Sequence, residues 1–414
     1  MKPPSQWAAA DGARAGGAQE LAAALTAARQ RTLALLAVYE QALGPTLRVP
    51  FSTQLNPPLW EVGHVGWFQD YWIARNRQRA LGVACDPEHQ RPSGRLPAAD
   101  ALYNSSVVAQ ETRWQLPLPD LAATRAYLEA GLIETLALQA QTAEQPADLY
   151  FFRLVLFHEQ MHAEAATYMA QALDIPLPAA LLAGAPSPSP ALIGQPPAAS
   201  LCLPAGEWSL GYAQAGFAFD NELPTHRVHL SAFAVDPEAV TWQRYLPFVA
   251  AGGYEDARWW SAEGWQWCEA NTLGAPRYLR QVDTQWQHRV FGQWQPLPLA
   301  AAAVHLSWFE ADAWCRWAGR RLPEEAEWEY AALTDARLQW GEVWEWTASR
   351  FLPFPGFCAH PYRDYSAPWF GSRRVLRGGS CATAPEMVHP RYRNFFTLER
   401  NDIYAGFRSC AIDR

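Results

Sequence analysis

His158-Glu159-Gln160-Met161-His162 decides the reading of this chain, together with Pro57-Pro58-Leu59-Trp60-Glu61-Val62-Gly63-His64 far upstream. A four-residue step on a helix sets two imidazoles on one face, about one turn apart. Two neutral imidazoles aimed the same way make half a metal site, and His64 from another helix would complete a facial triad. Two chemistries share this spacing. Read literally, the pentapeptide is H-E-x-x-H, which points to a zinc-dependent hydrolase with Glu159 as general base. Zinc peptidases of that kind usually take their third ligand after the helix, however, and no histidine follows His162 before the proline-rich segment described below. Read with His64, the set is a three-histidine site that suits zinc or iron, and spacing alone leaves the metal open.

The surrounding sequence reads as helical. Pro57 and Pro58 can open a helix, since proline is tolerated in a first turn. On that helix Trp60, His64, Trp67 and Tyr71 form one stripe. The two tryptophans would bury the imidazole, and a buried polar group needs a partner. Leu21, Leu25, Leu33 and Leu36 recur near helical spacing, and Asp120 can cap a helix running through Leu132, Leu136 and Leu138. A further helix carries Leu154, His158, Met161, His162 and Ala165 on one face. Four helices with ligands pointing inward predict a bundle with its site in the core, over residues 19–174. The first 18 or so residues, small and Gly/Ala-rich, are expected to fray.

Residues 175–200 break the pattern. Pro176, Pro178, Pro186, Pro188, Pro190, Pro196 and Pro197 lie among Ala, Gly and Ser, the composition of a semi-rigid linker. Beyond it, residues 201–414 hold sixteen of the 21 tryptophans, many glycines and short apolar pieces. Only Ser307–Trp317 sustains a helical period there. The expectation is a loop-rich α+β domain pinned by aromatics, and α+β for the chain as a whole.

The 414 residues suffice for two or three domains and a large core. A net charge of −8 argues against nonspecific nucleic-acid binding, which needs a basic surface. No basic-then-apolar leader and no run of 18 apolar residues is evident, so neither secretion nor a membrane partner is expected. The seven cysteines are scattered, without C-x-x-C, which reads as reduced, buried thiols in a cytoplasmic protein. Small molecules are the expected partners.

Taken as a series, the motifs resemble a known family. Val304-His305-Leu306-Ser307-Trp308, Arg320-Arg321-Leu322-Pro323-Glu324-Glu325-Ala326-Glu327-Trp328-Glu329-Tyr330, Val343-Trp344-Glu345-Trp346-Thr347, Val375-Leu376-Arg377-Gly378-Gly379-Ser380 and Ala405-Gly406-Phe407-Arg408 look like the formylglycine-generating-enzyme fold, related to C-type lectins. The region with Trp60–His64 and His158–His162 looks like a DinB-type four-helix bundle. That fusion is the architecture of the ergothioneine sulfoxide synthases, the EgtB family. The resemblance implies mononuclear iron, Fe(2+), on His64, His158 and His162. With O2 as co-substrate, it implies joining of a sulfur donor to C2 of the imidazole of hercynine, trimethylhistidine. It implies Tyr362 as proton donor, Tyr365 on the hercynine side and Asn394 holding the betaine. The hercynine cation would then lie against Tyr365, Asn394, Phe395 and Phe396. Formylglycine generation itself is not implied, because Cys381 and Cys410 lack the required arrangement.

Three departures bear on the donor. The family's Arg-Asn-Trp-Asp is here Arg393-Asn394-Phe395-Phe396, so the aspartate that meets an ammonium is missing. The family's glutamine before the last ligand is here Met161. No pair of donor-carboxylate arginines is evident between His64 and residue 115, where Asn104, Ser105 and Arg113 stand instead. A neutral donor follows, and the chain is similar to the selenoneine synthase (SenA) branch, in which a selenosugar is joined to hercynine. A thiol donor, cysteine or γ-glutamylcysteine, is the alternative. Outside the family, the rivals are the zinc hydrolase and a carbohydrate- or betaine-binding module with a vestigial metal site.

Overall fold

The computed structural model describes residues 7–182 and 199–412. The N-terminal part is helical: α1 (Ala8–Ala15), α2 (Ala18–Leu43), α3 (Pro58–Gln69), α4 (Ala99–Tyr103), α5 (Leu121–Gln139) and α6 (Pro146–Ala172). The start signals act as read. Pro58 opens α3, and Asp120 Oδ1 accepts from the Ala123 N–H at 2.8 Å to cap α5. The stripe that begins on α3 ends beyond it, because Tyr71 lies in a π-helical turn, Asp70–Ala74. The middle of α6, Leu149 to Gln160, is buried on every side, as befits a helix packed between the bundle and the C-terminal part. Among the described residues, α2 is long and apolar enough to cross a membrane. It packs instead on α5 and α6 and carries the buried Arg29.

Residues 1–6 lie outside the described residues, and from Trp7 to Ala18 the chain corrects the expectation of fraying. From residue 8 the chain is helical, and Arg14 is buried in a bidentate pair with Glu222 at 2.7 and 2.8 Å. The Phe217 N–H also donates to the Arg14 carbonyl at 2.8 Å. An ion pair this buried fixes α1 to the C-terminal part, since freeing either partner would strand a charge away from water.

The C-terminal part is α+β. Its strands are β1 (Leu201–Leu203), β2 (Gly206–Leu210), β3 (His226–Leu230), β4 (Phe233–Val235), β5 (Leu279–Val282), β6 (Gln285–Val290), β7 (Gln293–Pro296), β8 (Arg320–Arg321), β9 (Trp344–Arg350), β10 (Arg374–Arg377), β11 (Asn394–Phe396), β12 (Ala405–Gly406) and β13 (Cys410–Ala411). The helices are α7 (Trp242–Ala250), α8 (Ala262–Ala270), α9 (Trp308–Trp317) and α10 (Glu325–Thr334). Two four-stranded sheets run β1-β4-β13-β8 and β11-β10-β9-β12, with a β2-β3 ribbon and a β5-β6-β7 meander. The helix expected over Ser307–Trp317 is α9, opened by a capping box of Ser307 with Glu310.

The motifs of this region are structural. Trp346 donates its indole N–H to Leu306 O at 2.8 Å, and Trp328 donates to Glu345 at 2.8 Å. Glu345 also pairs bidentately with Arg408, joining Val-Trp-Glu-Trp-Thr to Ala-Gly-Phe-Arg. Five prolines of the linker, from Pro186 to Pro197, lie outside the described residues. Its first part is packed, with Ile175 and Leu177 buried against the bundle. All seven cysteines are free thiols.

Candidate metal centre

Helices α3 and α6 bring His64, His158 and His162 together. His158 Nε2 lies 3.2 Å from His64 Nε2 and 3.2 Å from His162 Nε2. Each ring's tautomer has a physical cause at two of the three positions. His64 Nδ1 donates to the Tyr103 carbonyl at 2.7 Å, and His162 Nδ1 donates to Glu61 Oε2 at 2.5 Å. Both therefore turn a bare Nε2 inward. With His158 as the Nε2–H tautomer these contacts are N–H···N hydrogen bonds, and with that proton displaced all three Nε2 lone pairs are free for one cation. Ligands about 2.0–2.1 Å from one ion at near-right angles would stand about 3 Å apart. The donor set thus fits a divalent metal.

The surroundings hold His64 and His158 neutral and fix all three rings in place. Burial, then repulsion from His162, lowers the His64 pKa to about 3. Burial lowers that of His158 still more clearly, with the two neighbouring imidazoles adding to it. Burial resists ionisation of Glu61, but His162 and the hydrogen bond from Asn56 outweigh it and hold the carboxyl at about 2. Trp60 stacks on His64 at 4.9 Å and 8°, and Phe68 stacks on His158 at 3.5 Å and 3°. Such supporting partners typically tune metal affinity by about 10–100-fold. Glu61→Gln is accordingly expected to weaken metal binding by about that factor, read by chelator competition. Sequence reasoning passed over Glu61, Phe68 and the Tyr103 carbonyl. Glu61 and Phe68 could have been found, since they lie three residues before and four after His64 on one helix.

Glu159 does not face the metal site. It is buried in a bidentate pair with Arg29, at 2.8 and 3.0 Å, and Arg29 also donates to Gln69 Oε1 at 2.8 Å and to the Leu128 carbonyl. That corrects the general-base role the H-E-x-x-H reading gave it. Glu159→Gln is expected to cost about 3–5 kcal/mol of stability by leaving Arg29 buried and unpaired. Urea denaturation of the metal-free protein measures it.

The C-terminal part faces this centre across the interface. Tyr362 lies edge-on to Phe68, with ring centroids 4.9 Å apart, and 6.3 Å from the His158 ring. Burial, then the Asp364 carboxylate, raises its phenol pKa, so it keeps its proton at neutral pH. Tyr365 stacks on Phe219 at 4.4 Å, and its hydroxyl meets that of Tyr392 at 3.0 Å. Tyr392 in turn reaches Met161 Sδ at 3.6 Å. Tyr392, just before β11, therefore links Tyr365 to the ligand helix.

That same period corrects the expected surface of Tyr365, Asn394, Phe395 and Phe396. On β11, Phe395 points away from Asn394 and Phe396 and stacks on Phe351 at 4.0 Å. It is a packing residue whose edge meets Tyr365 at 5.9 Å. The Arg400 guanidinium lies 4.9 Å from the Phe396 centroid and 5.6 Å from that of Tyr168. Asn394 Oδ1 accepts from the Phe395 N–H at 2.9 Å.

A cleft of about 350 Å³ opens beside Tyr362 and is walled by Trp67, Asn104, Ser105, Glu88, Arg363 and Asp364, among others. Ser106 donates to Asp364 across it. Arg113 is not in this cleft. It lies flat on Trp60 at 3.8 Å, opposite His64, and donates to Asn56 Oδ1 at 2.8 Å. Arg91 lies on Tyr71 at 3.9 Å and donates to Pro87 O.

Comparison with known proteins agrees with the two-part architecture. The sulfatase-modifying factor enzyme 1-like domain family matches residues 188–340 and 335–413. The hercynine oxygenase of Mycobacterium tuberculosis is 32% identical over 94% of this chain and 98% of its own length. That of Mycolicibacterium smegmatis is 31% identical, covering 94% and 98%. The formylglycine-generating enzyme of Streptomyces coelicolor is 30% identical over 51% of this chain and 88% of its own.

Proposed function

The chain belongs to the hercynine oxygenase family, and on that premise we propose that it is an iron(II)- and O2-dependent synthase joining a chalcogen donor to C2 of the hercynine imidazole. The observation that carries this reading is the convergence of three Nε2 atoms, with that of His158 3.2 Å from each of the other two, beside the protonated Tyr362 at the interface. Iron(II), when bound, supplies the redox chemistry by which O2 is reduced while the new bond to carbon forms.

The chain's own residues do the rest. His64 and His162 offer Nε2 because Tyr103 and Glu61 hold their Nδ1 protons. Tyr362 keeps a proton on its phenol oxygen and serves as the acid. Tyr365, Asn394, Phe396 and Met161 form the hercynine side. The quaternary ammonium gains roughly 0.5–2 kcal/mol from each aromatic face it meets. Tyr365 supplies such a face; one face of Phe396 is taken by Arg400.

The donor we assign is a selenosugar. Phe396 offers no charge to an ammonium, and the cation nearest it, Arg400, is neutralised by Asp402 at 2.5 and 2.7 Å. In the cleft the one cation, Arg363, stands 3.9 Å from Glu88 and Asp364 adds a second carboxylate, so a donor carboxylate meets no unpaired cation there, while Asn104 and Ser105 suit hydroxyls. Losing one charge-assisted contact is worth about 1.5–3 kcal/mol, or roughly tenfold to a hundredfold in affinity. With hercynine, iron and O2 held constant, kcat/KM for a selenosugar is expected to exceed that for γ-glutamylcysteine by at least about tenfold. The reverse order would return the chain to the thiol-using reading, which its likeness to the hercynine oxygenases favours. An anaerobic iron-loaded assay, started with O2 and read by product mass, decides the reaction itself.

A further inference from the structure

Behind the ligands, within the bundle, lies a cavity of about 30 Å³ that the catalytic description leaves unused. It lies between α2, α3 and α6, and its wall includes His162 and the residue after His64, Val65. The rest of the lining is mostly aliphatic, including Leu35, Leu36, Val62, Ala166 and Met169.

The polar groups at its edge have their protons engaged elsewhere and turn almost no polar surface into the cavity. Thr32 donates to Ala28 O at 3.1 Å, and Tyr39 donates to Ala166 O at 2.6 Å. His162 Nδ1 is bound to Glu61, whose other oxygen takes the Asn56 amide. A buried water needs two to four polar partners, and apolar cavities that lack them stay dry and take xenon. A space of about 30 Å³ has room for a diatomic, since a water's share of the liquid is itself about 30 Å³.

We propose that this cavity is a docking site for molecular oxygen, holding the apolar gas against His162 before it reaches the metal. The inference rests on the O2-dependent reading above, and its test separates the two. Wild-type crystals pressurised with xenon should show a xenon atom in the cavity. Val62→Phe and Ala166→Leu plug it from different helices, so a folding defect in one leaves the other. Either plug should abolish the xenon peak. Each should raise KM for O2 several-fold, with kcat at saturating O2 and KM for hercynine unchanged. Ordered water in place of xenon, or plugged variants that keep the wild-type KM for O2, would overturn the proposal while leaving the reaction intact. Xenon occupancy without any hercynine-dependent O2 uptake would instead sink the functional reading, and O2 as the occupant with it.

Discussion

His158→Ala is expected to abolish both metal retention and hercynine-dependent O2 uptake while leaving the fold intact. His158 is the hinge of the triad, since its Nε2 lies 3.2 Å from each of the other two and those come from different helices. No other group of three or more His, Cys, Asp or Glu donors converges among the described residues, so nothing replaces the lost ligand. Metal content after dialysis and O2 consumption report the two losses separately. The fold should survive because the Arg29–Glu159 pair and the aliphatic cluster around Leu35, Leu36, Ala163 and Met169 hold the helices without the ligand rings. A variant that keeps one equivalent of metal and normal turnover would remove His158 from the centre. Zinc loaded into the wild type should occupy the same nitrogens and give no turnover, because zinc has no redox chemistry.

How much of this was legible in the sequence depends on how far each partner lies along the chain. The i, i+4 histidines, the proline start of α3 and the Asp120 cap are local, and local periodicity reports them. The role of Glu159 is not local. Its partner Arg29 is 130 residues away on α2, and only the folded bundle shows that the pentapeptide's glutamate is structural. Arg14 and Glu222 are 208 residues apart, so a Gly/Ala-rich start that reads as frayed is an anchored helix. At β11 the failure was different. Asn394, Phe395 and Phe396 were read as one surface with Tyr365, but strand period divides the three, and Phe395 goes to the packing face. Tyr392, just before that strand, was passed over because a tyrosine between two arginines carries no local signal of function.

Tyr362→Phe is expected to lower or redirect turnover by about 10²–10⁴ while leaving hercynine affinity almost unchanged. The hydroxyl is the only group removed, and phenylalanine keeps the edge-on contact with Phe68 at 4.9 Å, so the wall of the cleft survives. Burial and Asp364 raise the Tyr362 pKa, which makes it an acid that still holds its proton at neutral pH. The sign of the pH effect follows. A raised phenol pKa means the proton is present throughout the neutral range and is lost only on the alkaline side, so no acidic loss of activity should trace to this group. Tyr365 cannot substitute, because its hydroxyl is engaged with Tyr392 at 3.0 Å. Single-turnover rates under saturating hercynine test the step directly, and calorimetric binding of hercynine tests the affinity. If the phenylalanine variant makes the same product at the wild-type rate, the proton comes from elsewhere. A parallel Tyr392→Phe variant separates the roles: it should weaken hercynine binding through Tyr365 and Met161 and leave the alkaline limb of the pH profile where it was.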